Sequence, residues 1–590
     1  MRLAHLVLTC LVPLALWILV SGLDDLFISV AFLLTRHKPF PWPAGPELDH
    51  APERRIAILV PLWREHRVIG QMLEHNLAAI RYSAYDVFVG VYPNDQPTAR
   101  AVEQAARSHP RVHLVVGPHD GPTSKGDCLN GIYHGMGEYE GLHGVRYDIV
   151  MTHDAEDLVH PDSLRLVNWF SRDYVMVQVP VLPLPTPIGE FTHGLYCDEF
   201  AEFQTKDIPM RQRLNGFLPA NGVGTGFERS ALEHLAATRG GLVFDPACLT
   251  EDYENGFRLH ALGYRQIFLP VRFQNGRPVA TREYFPRHYR AAMRQRSRWV
   301  AGIVLQGWQN HGWRGAWPQA YWFWRDRKGL VGNLLSPLAN LVFLAGLGNF
   351  AVSTGTGEAW RLAALVPPWL SRLCLVTYVC ALVQVAMRTW CSAQIYGWRF
   401  AAAVPLRATW GNVINFAATV AAVRQYTAAR IQSRTMAWRK TDHVYPRPRL
   451  GEVLVRMRTL STGDVETAVR DLPQGLRIGE YLVQSQKLSE ENLYHALSVQ
   501  SGIPTGPIRS LEVERLATRA LPAEASRRWR VLPYRVETGH LHVAVADVPS
   551  RELTRELAGL SALEIRYRLV RPEELDRLAV EYLPAAGSAG

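Results

Sequence analysis

The hydrophobic pattern changes period several times along the chain, and each change predicts a different kind of element. After residue 54, short apolar runs rich in β-branched side chains at 56–60, 87–92, 112–116 and 149–152 read as strands; stretches of helical spacing at 68–80 and 98–107 separate the first three. Alternation of that kind predicts a parallel α/β sheet. Proline-rich residues 39–53 show neither period and read as a linker.

Longer apolar runs flank this region. Residues 3–20 form one, Asp24 and Asp25 interrupt it, and 26–34 form a second that ends at Arg36, His37 and Lys38. No small-residue cleavage site follows, so 1–38 reads as an uncleaved anchor with a short amphipathic helix behind it, leaving the chain after residue 36 on the cytoplasmic side. Residues 330–352 carry no charge and are long enough to cross a hydrocarbon layer of about 30 Å. Residues 362–387 carry only Arg372, whereas 400–423 carry Arg407 and are expected to lie at the interface. Three spans result, the last two returning the chain to the cytoplasm. The expected units are 1–38, an α/β domain at 54–325, membrane and interfacial helices at 329–425, and a soluble domain at 447–583. That last domain opens with an internal repeat: RLGEVLVRMRTLSTGDVETAV from Arg449 and RIGEYLVQSQKLSEENLYHAL from Arg477.

Charge narrows the partners. The net charge of +10 would suit nucleic acid or a membrane surface, but the basic residues crowd beside the apolar runs. Between Arg388 and Arg449 the only acid is Asp442, a cytoplasmic juxtamembrane pattern that disfavours nucleic acid. Seven cysteines without a CxxC pair suit a reducing compartment and no structural zinc.

Carboxylates follow three of the predicted strands, at Pro61-Leu-Trp-Arg-Glu65, Asn94-Asp95 and His153-Asp154-Ala155-Glu156-Asp157. Open parallel sheets bind ligands there. One such acid is ordinarily a helix cap; three together favour a site. Asp154, Glu156 and Asp157 would repel one another unless solvated, capped or bridged to a diphosphate by a hard cation such as Mg²⁺ or Mn²⁺. Lys125, in Thr-Ser-Lys-Gly-Asp127, suits phosphate or ribose. Thr250-Glu251-Asp252 opens a helical stretch, and Gln295, Arg298 and Trp299 lie on a basic helix before the first long apolar run. No GxxxxGK[ST] loop is present, which disfavours an ATPase motor.

Taken in chain order, these motifs resemble those of the processive, membrane-bound family-2 glycosyltransferases over about 54–325. The resemblance implies a Rossmann-like GT-A fold and a nucleotide-sugar donor, with UDP-sugars the expected class, held by Pro61, Glu65, Asp95, Lys125 and Asp127. It implies a metal at Asp154 with Glu156 or Asp157, Asp252 as general base, and Gln295, Arg298 and Trp299 against the diphosphate or the saccharide acceptor. The C-terminal repeat resembles the α/β MshEN-type domain of type II secretion ATPases, whose tandem motifs bind cyclic di-GMP; Arg449, Gly451, Arg477 and Gly479 match. Arginines would pair with phosphate or guanine edges, and glycines would let the backbone approach the ligand. Where that motif has a glycine, this chain has Arg458 and Gln486. The whole arrangement is similar to the phage adsorption protein B family, which implies the bacterial inner membrane, an exopolysaccharide product and an outer-membrane export partner. Two rival readings are an inactive membrane platform for phage-receptor or secretion assembly, and a transferase that adds one sugar to a polyprenyl phosphate.

Overall fold

Strand β1, Ile56–Pro61, is buried along its whole length, as a central parallel strand covered on both faces must be. Its side chains alternate: Ile56, Ile58 and Val60 enter one core, Ala57 and Leu59 the other. Around it lie β2 (Tyr85–Val91), β3 (Val112–Val116), β4 (Ile149–Thr152), β5 (Met176–Gln178), β6 (Thr225–Glu228) and β7 (Gln266–Phe268), in the order β3-β2-β1-β4-β6-β5-β7. The computed structural model describes residues 2–583 apart from 275, 314–315, 358–365, 433–448, 458, 474, 502 and 538. It divides into two units, Met1–Pro446 and Arg447–Gly590.

The sheet departs from the all-parallel expectation at one strand. β6 runs antiparallel to both β4 and β5, while every other pairing is parallel. Helices Ile69–Ala79 and Gln96–Ser108 cover one face and Lys125–His143 the other.

The helices that matter to the site and the membrane are α1 (Arg2–Thr35), α2 (Lys125–His143), α3 (Phe191–Glu202), α4 (Glu251–Ala261), α5 (Tyr289–Trp299), α6 (Gly329–Thr356), α7 (Pro368–Tyr396) and α8 (Val404–Ile431). Asp24 and Asp25 do not divide the N-terminal helix as the sequence suggested. Lys328 reaches both carboxylates at 2.7 Å and Arg325 reaches Asp24 at 2.6 Å, so the acids are neutralised inside one continuous helix. Beyond them, Ile28 and Phe32 pack with Phe217, Tyr253 and Phe323, so this end of α1 belongs to the core of the first unit.

Among the described residues, three helical stretches are long and apolar enough to cross a membrane: Leu11–Thr35, Trp317–Thr356 and Pro368–Tyr396. α8 is not among them. Its Arg407 is fully buried, with the guanidinium held by Asp198 of α3 at 2.6 and 2.8 Å. A Cβ on Gly194 would stand 2.6 Å from the Arg407 side chain, so a glycine one turn before Asp198 makes room for it.

In the second unit, α9 (Leu450–Arg456) and α10 (Thr462–Arg470) form one helical hairpin, α11 (Ile478–Gln484) and α12 (Glu490–Ser501) another. A three-stranded sheet follows, with β8 (Val531–Glu537) antiparallel and β10 (Glu564–Leu569) parallel to the central β9 (His540–Val545). The juxtamembrane arginines between 433 and 448, and Arg458, lie outside the described residues.

Candidate active site

The carboxyl ends of β1 and β4, the first turns of α2 and α4 and the last turn of α5 open onto one cleft of about 110 Å³. From the sequence-predicted residues it gathers Pro61 and Glu65, Lys125, Asp154 and Glu156, Asp252, and then Gln295, Arg298 and Trp299. Three others stand outside it. Asp95 is buried under the loop after β1, where it accepts the Arg64 backbone N–H. Asp127 lines a small neighbouring hollow with Tyr92, Pro118 and Cys128.

Asp157 turns away altogether. Its carboxylate meets His153 Nδ1 at 2.7 Å and accepts the Asp154 N–H at 3.0 Å, with both side chains fully buried. It fastens the loop that presents Asp154 and is not placed to reach a metal in the cleft. The sequence set Asp154, Glu156 and Asp157 side by side as ligands; the structure leaves the first two at the cleft. Among the described residues no group of three His, Cys, Asp or Glu side chains is gathered to hold an ion unaided.

Electrostatics centre on Lys125. Its ammonium lies 2.7 Å from Asp154. Burial works against that charge, but the carboxylates of Asp154, Glu251 and Asp252 outweigh it and hold the ammonium above its ordinary range. Burial raises Asp252 in turn, opposed by Lys125 and Arg298. Burial and the adjoining Asp252 carboxylate push Glu251 up to about 7. The two acids differ in placement: Asp252 lines the cleft, whereas Glu251 is buried behind it.

Several contributors were not foreseen. Asn221 and Val223 reach the cleft from the loop before β6, which turns at Gly222 (φ +76°) and Gly224 (φ +61°). A Cβ on Gly222 would stand 2.6 Å from Asp252 Oδ2 and 3.4 Å from Lys125 Nζ, so glycine is required there. Asn-Gly-Val-Gly could have been flagged as a left-handed turn, though not as part of this site. Arg64 also has positive φ, at 56°, and strained non-glycine backbone of this kind clusters at functional sites. Trp299 packs edge-on to Tyr196 and close to Phe200 and Phe285, forming an apolar wall. Asn221 Nδ2 and Gln295 Oε1 are shielded and lack hydrogen-bond partners among the described residues, which marks both as ready for a polar ligand.

In the second unit the repeat arginines cap helices. The Arg449 and Arg477 N–H groups donate to Glu452 and Glu480 at 3.2 and 3.4 Å, and the Arg477 side chain, 68% exposed, pairs with Asp547. A Cβ on Gly451 would meet Val465 at 2.5 Å and one on Gly479 would meet Leu493 at 2.8 Å, so both glycines let the paired helices approach closely.

Residues 52–302 match the family described as Glycosyltransferase like family 2, and residues 501–589 match the MshEN domain. Over 95% of its length the chain is 34% identical to Bacteriophage adsorption protein B of Escherichia coli (strain K12), covering 79% of that protein. The chain belongs to the phage adsorption protein B family. It is a glycosyltransferase of GT-A fold carrying a C-terminal MshEN domain. Among solved structures it is similar to the mannosyltransferase PcManGT from Pyrobaculum calidifontis in complex with GDP-Man and Mn²⁺: 17% identity over 68% of this chain and 99% of that one, TM-score 0.41. It is also similar to MshE with cdg, at 25% identity over 23% of this chain and 99% of that one, TM-score 0.22. Within this family member the MshEN match begins at the end of α12, so both repeat hairpins precede it.

Proposed function

We propose that the protein works at the cytoplasmic face of a bacterial inner membrane, transferring sugar from a nucleotide-sugar, of the UDP-sugar class, to a growing exopolysaccharide with inversion at the anomeric carbon. The observation that carries this reading is the cleft itself, where Lys125, Asp154, Asp252 and Arg298 converge from distant parts of the chain. Asp252 takes the acceptor hydroxyl proton as that oxygen bonds to the anomeric carbon and the bond to the diphosphate oxygen breaks. Its raised affinity for protons suits a base of this kind, and positioned acid–base groups contribute roughly 10²–10⁴-fold. Arg298 balances the departing diphosphate; Gln295 and Asn221 offer unused polar atoms to the sugar hydroxyls, and Trp299 supplies an apolar face for the acceptor.

Asp154 and Glu156 present carboxylate oxygens to the cleft, a donor set suited to Mg²⁺ or Mn²⁺. When bound, such an ion would supply positive charge at the diphosphate. Asp95, beneath the loop after β1, and Asp127, beside it, fix the nucleotide end together with Pro61 and Glu65.

Cyclic di-GMP is the proposed ligand of the repeat hairpins, with Arg449 and Arg477 meeting its phosphates and Gly451 and Gly479 shaping the hairpins that present them. An outer-membrane partner would complete export. The decisive experiment is a donor screen on purified protein with Mg²⁺ or Mn²⁺, with and without the messenger. Transfer from one donor that falls at least about 10²-fold in Asp252→Asn is expected, and near-normal transfer by that variant would overturn the assignment. Product length separates polymer synthesis from single addition to a polyprenyl phosphate. Calorimetry on Arg449→Ala/Arg477→Ala tests the regulatory ligand, whose binding should be lost.

A further inference from the structure

The sheet of the second unit carries a charge arrangement that its own neighbours do not resolve. On one face, register sets Glu537 opposite His540 and His540 opposite Glu564. That row is complementary, with His540 Nε2 3.3 Å from Glu564. The next row sets Arg535 opposite His542 and His542 opposite Arg566. Two guanidiniums thus flank an imidazole across three strands. Burial, opposed by Glu537 at 4.0 Å and helped by those two guanidiniums, holds His542 below the ordinary imidazole range.

The surroundings neutralise this row only in part. Arg535 has Glu537 at 3.3 Å and Glu514 at 4.0 Å. Arg568, two residues along β10 on the same face, is clamped by Glu512 at 3.0 Å and donates to the Pro507 carbonyl at 3.1 Å. Arg566 is exposed and forms no ion pair among the described residues. Together with Thr505 and Tyr534 these side chains wall a concavity of about 580 Å³, the size of a small-molecule site. The repeat arginine Arg477 lies elsewhere: it meets Asp547 beyond the carboxyl end of β9, whereas the basic row crosses its first half.

We propose that this sheet face is a second ligand site, taking a small phosphate-bearing anion that bridges Arg566, His542 and Arg535. Guanidinium matches phosphate oxygens in bidentate geometry, and an arginine already clamped, as Arg568 is, loses little further freedom on meeting one. Glu512 and Glu537 in the wall select for a compact anion, because they would repel an extended polyanion such as nucleic acid. The phosphate comes from a soluble molecule or from an anionic lipid headgroup; both share the chemistry.

The test uses the full-length protein in neutral phosphatidylcholine nanodiscs with chelator, titrated calorimetrically with inorganic pyrophosphate and, separately, with dihexanoyl-phosphatidylglycerol. At least one probe is expected to bind, with affinity falling about tenfold or more in Arg566→Glu, by less in Arg566→Lys, which keeps the charge but not the fork, and unchanged in Arg298→Ala. Binding of pyrophosphate identifies a soluble source, and binding of the lipid alone identifies a headgroup. The proposal is overturned if neither probe binds, if wild type and Arg566→Glu bind alike, or if the lysine variant loses as much as the glutamate variant. It is equally overturned if Arg298→Ala abolishes the signal, which would then belong to the transferase cleft.

Discussion

Gly222 is where backbone, base and cation meet. A methyl group at 222 would press on the Asp252 carboxylate and the Lys125 ammonium, and the backbone there is left-handed. Gly222→Ala is therefore expected to leave a folded protein whose transfer rate falls about 10²-fold, because a displacement of about 1 Å at the reacting centre costs that much; assay of the variant beside a melting curve checks both halves. Glu251 supplies a pH signature. Its folded value, about 7, is raised above the 4.5 of the free side chain, so its contribution to stability is fully present below the lower value and is lost as pH rises through the upper one. Thermal midpoints should fall between about pH 5 and pH 8 more steeply in wild type than in Glu251→Gln. If the two slopes coincide, the burial of Glu251 does not have this consequence. At this scale the sequence exposed the acids but not their division of labour. Asp154 and Asp157 look equivalent as letters; only the fold brings His153 against Asp157 and takes that carboxylate out of the cleft.

Whole elements were legible where their pattern was long enough to carry a period. β1 to β4 are four to seven residues of mostly apolar sequence and stand close to where the hydrophobic runs placed them. β5 and β7 have three residues each, and β6 reads Thr-Gly-Phe-Glu, too short and too mixed to announce a strand or its antiparallel direction. α1 misled for a different reason: two acids argue against a continuous apolar helix until Arg325 and Lys328, three hundred residues later in the chain, are brought beside them. The turn between α11 and α12 gives a case where the motif spoke through its exception. Gln486 occupies the position at which the MshEN-type repeat carries glycine, and it holds φ at +54°. A side chain in that region costs roughly 1–2 kcal/mol, of which glycine's greater freedom in the unfolded chain returns roughly 0.5–1. Gln486→Gly should then stabilise the C-terminal unit by about 0.5–1 kcal/mol. Hydrogen exchange across α11 and α12 would show it as slower local opening, and unchanged or faster exchange would refute it.

For the whole molecule, the question is which side of the membrane each part occupies, and packing sharpens what composition alone suggests. The apolar window of α1 extends to Thr35, but its last third is built into the transferase core through Ile28 and Phe32, and Asp24 is level with Lys328, where α6 starts. The bilayer boundary is thus expected near Asp24, with the stem of α1 standing on the cytoplasmic side beside Arg325 and Lys328, in keeping with the excess of basic residues there. α6 and α7 are then expected to cross outward and back. α8, pinned by Arg407 to Asp198 of the transferase domain, is expected to run along the near side instead of forming a fourth span. That crossing would put the α6 terminus at Gly357 on the side opposite the cleft. A single cysteine at Gly357 in a variant otherwise lacking reactive thiols should react with a membrane-impermeant maleimide in intact spheroplasts, while one at exposed Gln432, past the end of α8, should react only after lysis. Were Gln432 labelled in intact cells, α8 would be a span and the Arg407–Asp198 pair would have to sit within the bilayer.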